Sequence, residues 1–412
     1  MKILYHHRTR AADAQGVHIR EMVHAFNELS HQTELASLVD THIDERTAER
    51  TAQRNTEPAW RKLLRRLPFV YEAIQLGYNV VALPWLLWKI RKSRIDLIYE
   101  RYSLFTFAGV VAARVMRRPI ALEVNSPIAL EQNRDHQLRA TRFALWLETA
   151  ICNAATRVIV VSAPLRRILI DMGVSPSKIV VMHNGANLRH FERAESEASL
   201  RSSLNLEGKV VIGFAGWFKK WHGLEFLLEA FHRSGLEKRN AVLLLLGDGP
   251  AMPELRRMAE EFGIAGAVRF TGPVFHRQIP EYLRLLDIAV QPAANEYCCP
   301  MKILEYMAVR TAIVAPRQEN IEELLVDGKN ALLFAPGDMA DFERQVSHLV
   351  DQPQTRARLA EAAYDTIFER GLTWRDNAAR VLTLLAGSRT ESVSLTSSQT
   401  LPDGRGSETS HY

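Results

Sequence analysis

The sequence predicts an α/β protein made of two doubly wound units in series. Three observations support this. Short apolar runs rich in Val, Ile and Leu alternate with amphipathic helical stretches along nearly the whole chain, as in a parallel sheet covered on both faces. At 412 residues the chain exceeds one typical domain, and two is the natural division. A polar, charged stretch, "LRHFERAESEASLRSSLNLEG" (188–208), interrupts the alternation near its middle, and the alternation then begins again.

In chain order, "KILYHH" reads as a strand. "GVHIREMVHAFNELS" (16–30) reads as a helix with apolar residues at 19, 22, 23, 26 and 29, and "TELASLV" as the next strand. Residues 56–95 mix Arg and Lys, among them Arg61, Lys62, Arg65 and Arg66, with Trp, Phe, Tyr and Leu, and contain Pro68 and Pro84. They read as two amphipathic helices, suited either to docking on an anionic membrane surface or to packing on the first sheet. Strand "DLIYERY", helix 105–116, strand "PIALEVN", helix 138–155, strand "RVIVVSA", a short helix and strand "KIVVMHNG" complete a first domain, 1–190. The second, 191–372, runs "KVVIGFAG", helix 224–234, "AVLLLLG", helix 253–262, "VRFTG", helix 279–286, "DIAVQPA", helix 300–308, "TAIVAP", helix 319–326 and "NALLFAP", then helices 339–351 and 354–369. A further helix, 373–387, precedes a Ser/Thr-rich stretch, 388–412, expected to be disordered.

Composition narrows the function classes. Hydrophobic content of 47% and charge of 24% are ordinary for a globular protein. Three cysteines, Cys152, Cys298 and Cys299, make neither a disulfide framework nor a metal-ligand ladder, which suits a reducing, cytoplasmic compartment. "MKILYHHRTR" lacks a signal-peptide core, and no apolar run reaches the roughly 20 residues that span a bilayer. A net charge of +5 points to anionic partners. The basic residues lie on phosphate-sized turns and not on an extended face, so nucleic acid is not expected.

Candidate chemistry gathers at four strand-to-helix junctions of the second unit, which in a parallel sheet open on one edge. "CCPMKILEYMA" (298–308) begins a helix with proline and sets Lys302 and Glu305 three apart on one face, directly after a strand. Ligands bind beyond strand ends in such sheets, and helix N-termini attract phosphate. "GFAGWFKKWHGLEFLLEAF" (213–231) carries Gly216, Lys219, Lys220 and His222 ahead of a helix, which suits a diphosphate. "LLLLGDGP" (243–250) offers Gly247, Asp248 and Gly249, where a ligand can approach the backbone. "FTGPVFHRQIP" (270–280), with Val274, offers backbone to grip a flat base. Taken singly, each also reads as a surface ion pair, an exposed basic turn or a tight turn. In the first unit Glu123, Asn125 and Glu131 follow a strand, and Asn125 is the preferred sugar or acceptor contact. His18 is a further candidate beside Gly16. Cys298 and Cys299 are either activated by the helix N-terminus or inert turn residues.

Together these stretches resemble a retaining, nucleotide-sugar-dependent glycosyltransferase of the large family 4, over nearly the whole chain to about residue 386. The resemblance rests on "GVHIREM", "VIVVSAPLRRIL…KIVVMHNGANLRHF", "GDGP…LRRMAEEFGIAGAVRFTGPV", "PMKILEYMA" and "IEELLVDGKNALLFAPGD". It implies the GT-B architecture: two facing Rossmann-like doubly wound domains with a cleft between them, and a C-terminal helix near Trp374 crossing back to the first domain. It implies that Glu305, the second glutamate of an E-x7-E pair, accepts hydrogen bonds from the donor ribose, and that Lys302 meets the diphosphate. The loop 217–223 resembles the family's R-x4-K-G loop, with Trp217 at the arginine position and His222 at the lysine position. The leaving-group cation is then Lys219, Lys220, Lys302 or protonated His222. Tyr297 stands at the first glutamate, with Glu296 one residue earlier, and Asn187 replaces an aspartate. The other implied donor contacts are Gly16, Gly216, Gly247, Asp248, Val274, Met301, Ile303 and Leu304.

The implied reaction is hexose transfer from a nucleotide diphosphate sugar to a saccharide or lipid-linked acceptor. The anomeric configuration is retained, and neither metal nor any other cofactor takes part. The alternatives are a sugar-nucleotide epimerase or phosphorylase on the same architecture, and a non-catalytic nucleotide-sugar-binding protein.

Overall fold

A computed structural model describes residues 1–9, 14–39, 68–192 and 197–397. The first unit contains strands β1 (Lys2–His6), β2 (Gln32–Ala36), β3 (Leu97–Arg101), β4 (Ile120–Val124), β5 (Arg157–Val160) and β6 (Ile179–Val181). Its helices are α1 (Ala14–Glu28), α2 (Pro68–Ser93), α3 (Ala108–Val115), α4 (Ile128–Arg134), α5 (Thr141–Ala154) and α6 (Ala163–Asp171). Short helices α7 (Leu188–Glu192) and α8 (Glu197–Ser203) lead to the second unit. That unit runs β7 (Val210–Ala215), α9 (Leu224–Arg233), β8 (Ala241–Leu246), α10 (Met252–Glu261), β9 (Val268–Phe270), α11 (Ile279–Arg284), β10 (Ile288–Val290), α12 (Met301–Ala308), β11 (Ala312–Pro316), α13 (Glu319–Glu322), β12 (Leu332–Phe334), α14 (Met339–Asp351) and α15 (Pro353–Glu369). The last described helix is α16 (Trp374–Ser397).

Each unit holds one six-stranded sheet, in the orders β2-β1-β3-β4-β5-β6 and β12-β11-β10-β7-β8-β9, and every pairing is parallel. Helices cover both faces, so strands such as "AVLLLL" of β8 are buried throughout, which is why they read as continuous apolar runs. The strand order reverses between β1 and β3 in the first sheet and between β7 and β10 in the second. Crevices at such points, beyond the carboxyl ends of the strands, are where open α/β sheets take ligands. One apolar cluster continues from Leu4, Ile98 and Leu122 of the first sheet to Val211, Leu244 and Ile313 of the second, so the two units share a packed junction.

Several expectations change. Of segment 56–95, residues 56–67 lie outside the described residues, and Pro84 does not divide the rest into two helices. α2 is a single helix with Pro84 inside it. The carbonyl that Pro84 leaves without a partner belongs to Val80, which is 76% exposed, so water can satisfy it. Arg61, Lys62, Arg65 and Arg66 lie outside the described residues. α2 buries Ala82, Leu86 and Ile90 on the first unit's core. Gly16 is not in the loop before α1 but in its first turn, and it is buried. α16 runs to Ser397, so 388–397 is helical where a disordered stretch is expected; those ten residues contain neither Gly nor Pro. Residues 398–412 lie outside the described residues. Trp374, Ala378, Val381 and Leu385 of α16 pack on Ile3, Tyr5, Ile19 and Met22 of the first unit.

Candidate active site

The four junctions singled out in the sequence follow β7, β8, β9 and β10, four neighbouring strands, and open on one edge of the second sheet. At the point where the strand order reverses, the ends of β7 and β10 lie side by side and their functional groups meet. The Lys302 ammonium, on the first turn of α12, lies 3.3 Å from Nε2 of His222 in the loop after β7. It also lies 5.2 Å from the centre of the Phe214 ring. The backbone makes room for it. Gly216 has φ 147°, and a Cβ there would stand 2.9 Å from Lys302 Cε. Gly247, with φ 126°, allows the ends of β7 and β8 to touch, since its Cβ would fall 2.1 Å from the Gly216 carbonyl oxygen.

His222 is buried between the Phe214 and Trp221 rings, at centroid distances of 5.1 and 3.8 Å. Desolvation, with the nearby Lys302 charge, pushes its pKa down to about 3, against a backbone hydrogen bond at Trp217 that favours the proton. His222 is therefore a neutral imidazole accepting from Lys302, and not the imidazolium allowed for in the sequence reading. Burial lowers the Lys302 pKa and raises that of Glu305, each against the pull of the other's charge. Glu305 is one turn further along α12, and its carboxylate makes no hydrogen bond or ion pair among the described residues.

Lys219 and Lys220 are exposed. The Lys219 charge depresses both Lys302 and His222, so it belongs to the same cationic cluster. The Lys220 charge bears instead on Glu254 of α10. Trp217 is 45% exposed beside this group. Asp248 turns back on its own loop, accepting from the Gly249 N–H at 2.7 Å through its side chain and from the Phe218 N–H at 2.7 Å through its carbonyl. Val274 lies half-buried past the end of β9. The side chains of three expected donor contacts point into packed surroundings. Ile303 and Leu304 are buried in the core, and Met301 packs on the first unit's cluster around Tyr5, Tyr99 and Trp374. On an eight-residue helix packed on both sides, only the face carrying Lys302 and Glu305 remains toward the sheet edge.

Across the junction, Glu123 is 1% exposed and its oxygens are fully engaged. They accept from Tyr99 OH at 2.9 Å, Arg101 at 2.6 Å and the Asn125 amide, with His18 Nε2 at 3.4 Å and Tyr5 OH at 3.5 Å. Burial works to raise its pKa, but the surrounding His18, Arg101 and hydrogen bonds hold it below the usual value. Glu123 is therefore a structural anchor and not an exposed sugar contact. His18 is likewise buried, its ring edge-on to Trp374 at 4.5 Å, and desolvation lowers its pKa to about 4. Asn125 is half-buried above Glu123. Desolvation raises Cys298 to about 11 and Cys299 to about 12, so both are inert thiols. Asn187 donates to Glu21 at 2.8 Å, tying α7 to α1.

The sequence reading missed Tyr99 and Arg101, although charged Arg101 and Glu123 are register partners at the ends of two apolar strands, and that pairing was the available signal. It also missed Asn184 and Asn320, buried amides that hold the loop before α12.

Comparison with known proteins agrees with this geometry. Residues 15–190 match "Glycosyltransferase Family 4" and residues 209–352 match "Glycosyl transferases group 1". An alpha-D-kanosaminyltransferase of Streptomyces kanamyceticus is 25% identical over 320 residues, 73% of this chain and 82% of that protein. A D-inositol 3-phosphate glycosyltransferase of Streptomyces scabiei is 28% identical over 66% of this chain and 64% of its own length. Anabaena HepE, crystallised with UDP, superposes with a TM-score of 0.69 at 18% identity, covering 93% of this chain and 100% of that one. Sucrose-phosphate synthase from Thermosynechococcus elongatus gives 0.67 at 16% identity, over 95% and 100%. With both halves matched and two facing parallel sheets of this order, the chain belongs to the GT-B glycosyltransferases.

Proposed function

We propose that this glycosyltransferase moves a hexose from a nucleoside diphosphate sugar to a saccharide or lipid-linked acceptor with retention at the anomeric carbon. One observation carries the reading: the Lys302 ammonium, fixed by neutral His222 at 3.3 Å, stands at the N-terminus of α12 at the reversal point of the sheet. A departing diphosphate meets preorganised positive charge there, from Lys302, Lys219 and the helix end. Glu305, one turn on and without a protein partner among the described residues, accepts from ribose hydroxyls. The mechanism assigns leaving-group neutralisation to these lysines and not to a metal, so activity is expected to survive a strong chelator. Retention is read from the anomeric coupling of the transferred sugar by NMR; an inverted product overturns it.

We further propose a site of action at an anionic membrane surface. Val70, Ile74, Val81 and Trp88 line one face of α2 and are 43, 51, 62 and 57% exposed. Arg91, Lys92 and Arg94 follow at its C-terminal end, all exposed, with Lys92 4.5 Å over the Trp88 ring. The one acidic residue of α2, Glu72, is buried and accepts from the Arg139 N–H at 2.7 Å. An apolar stripe with basic flanks fits the headgroup boundary. No described helix is long and apolar enough to cross a membrane. Cosedimentation with phosphatidylglycerol vesicles, lost in Val81→Glu/Trp88→Glu, is expected; binding that the double variant leaves unchanged rejects this docking face.

A further inference from the structure

The last part of the loop between β10 and α12, residues 295–300, leads directly to Lys302, and both units hold it. From its own unit, buried Asn320 donates to the carbonyls of Asn295 at 2.9 Å and Cys298 at 2.7 Å. From the first unit, Ser162 Oγ donates to the Tyr297 carbonyl at 2.7 Å, and Asn184 donates to the Cys299 carbonyl at 2.9 Å. The Tyr297 phenol donates to Glu131, whose other oxygen accepts from Ser126 Oγ at 2.9 Å. Glu131 is in turn fixed, because buried Glu148 accepts from the N–H groups of Ile128 and Ala129, at 3.2 and 3.0 Å, and so holds the start of α4.

We propose that Glu131 is a positioning residue for Lys302: through Tyr297 it sets the start of α12 from across the cleft, and the leaving-group charge is in register only while the two units are in contact. The proposal rests on the reading of Lys302 given above. A bond from phenol to carboxylate is charge-assisted and directional. Both residues are half-buried, Glu131 on α4 and Tyr297 in the loop before α12; the Tyr297 ring packs against the apolar cluster of the junction, and Tyr297→Phe keeps that packing, so losing the bond reports the relation between units more than the stability of either. Substrate-driven closure would thereby complete the cationic site, which holds the donor unspent until the acceptor-side unit has docked.

The test compares Tyr297→Phe, Glu131→Ala, their double variant and Glu131→Gln with Lys302→Met as reference, measuring kcat, donor KM and affinity for the nucleoside diphosphate. Glu131→Gln keeps an acceptor for the phenol. Misplacing a catalytic group is costly, so Tyr297→Phe and Glu131→Ala are each expected to lower kcat by roughly ten- to hundredfold. The expected accompaniments are nucleotide affinity within about threefold of wild type, a double variant no worse than either single one, and Glu131→Gln recovering most of the loss. Wild-type kcat in Tyr297→Phe, additive losses, or Glu131→Gln as impaired as Glu131→Ala overturns the proposal. Activity retained in Lys302→Met instead removes the underlying reading of the leaving-group site, so the two failures are distinct.

Discussion

Replacing Lys302 by methionine keeps the length and removes the charge. If Nζ meets a leaving oxygen at about 4 Å, an effective dielectric near 20 gives about 4 kcal/mol of attraction. Partial solvent access at the sheet edge lowers this to about 2–4 kcal/mol, or roughly thirty- to a thousandfold in kcat. Stability should not follow activity. Desolvation depresses the Lys302 pKa, so the folded state holds the ammonium at a cost, which is relieved only as pH rises through that lowered value. Methionine removes the cost at neutral pH, and the melting temperature is expected to be unchanged or higher. The assay is steady-state transfer or donor hydrolysis, with thermal denaturation in parallel. A kcat within about threefold of wild type in a folded Lys302→Met protein refutes the assignment.

Other consequences follow from buried groups. His222 at about 3, and His7, His18 and His276 at about 4, are all lowered first by desolvation, so the unfolded chain binds their protons near pH 6.5 while the folded one does not. The contribution of these histidines to stability is then flat above pH 7 and falls as pH drops from about 6 to 4, by on the order of 1 kcal/mol per pH unit for each, outweighing the opposite contribution of the single Glu148 carboxyl, which burial raises to about 7; a melting temperature level across that range contradicts it. Glu123→Gln leaves buried Arg101 without its charge partner and is expected to cost about 3 kcal/mol or more in chemical denaturation, with acceptor KM unchanged. A raised acceptor KM at wild-type stability would instead make Glu123 a substrate contact. Gly216→Ala, strained at φ 147° and pressing on Lys302 Cε, is expected to lower kcat without weakening the first unit; unchanged kcat would show that the lysine can relocate.

The architecture was legible because strands buried on both faces appear as unbroken apolar runs, as "AVLLLL" and "IALEV" do, and because glycine and charge mark their ends. The same logic pointed to Lys302 and the His222 loop, whose side chains the fold brings within 3.3 Å of each other. What escaped depends on burial and distance along the chain. His222 looks cationic as sequence, but it is neutral because Phe214, Trp221 and Lys302, 80 residues away, enclose it. Ile303, Leu304 and Met301 fall in a stretch that reads as ligand-binding, yet helical periodicity turns their side chains toward packed neighbours. Pro84 reads as a breaker, but at an exposed position the helix passes through it. The grip of Ser162 and Glu131 on Tyr297 joins residues 135 and 166 apart, beyond the reach of any local pattern.

The most direct measurement is a crystal structure of the protein with a bound nucleoside diphosphate. The account predicts diphosphate oxygens within hydrogen-bond reach of Lys302 Nζ and over the N-terminus of α12, with the ribose hydroxyls on Glu305. A nucleotide bound elsewhere, or a diphosphate turned away from Lys302, would contradict it.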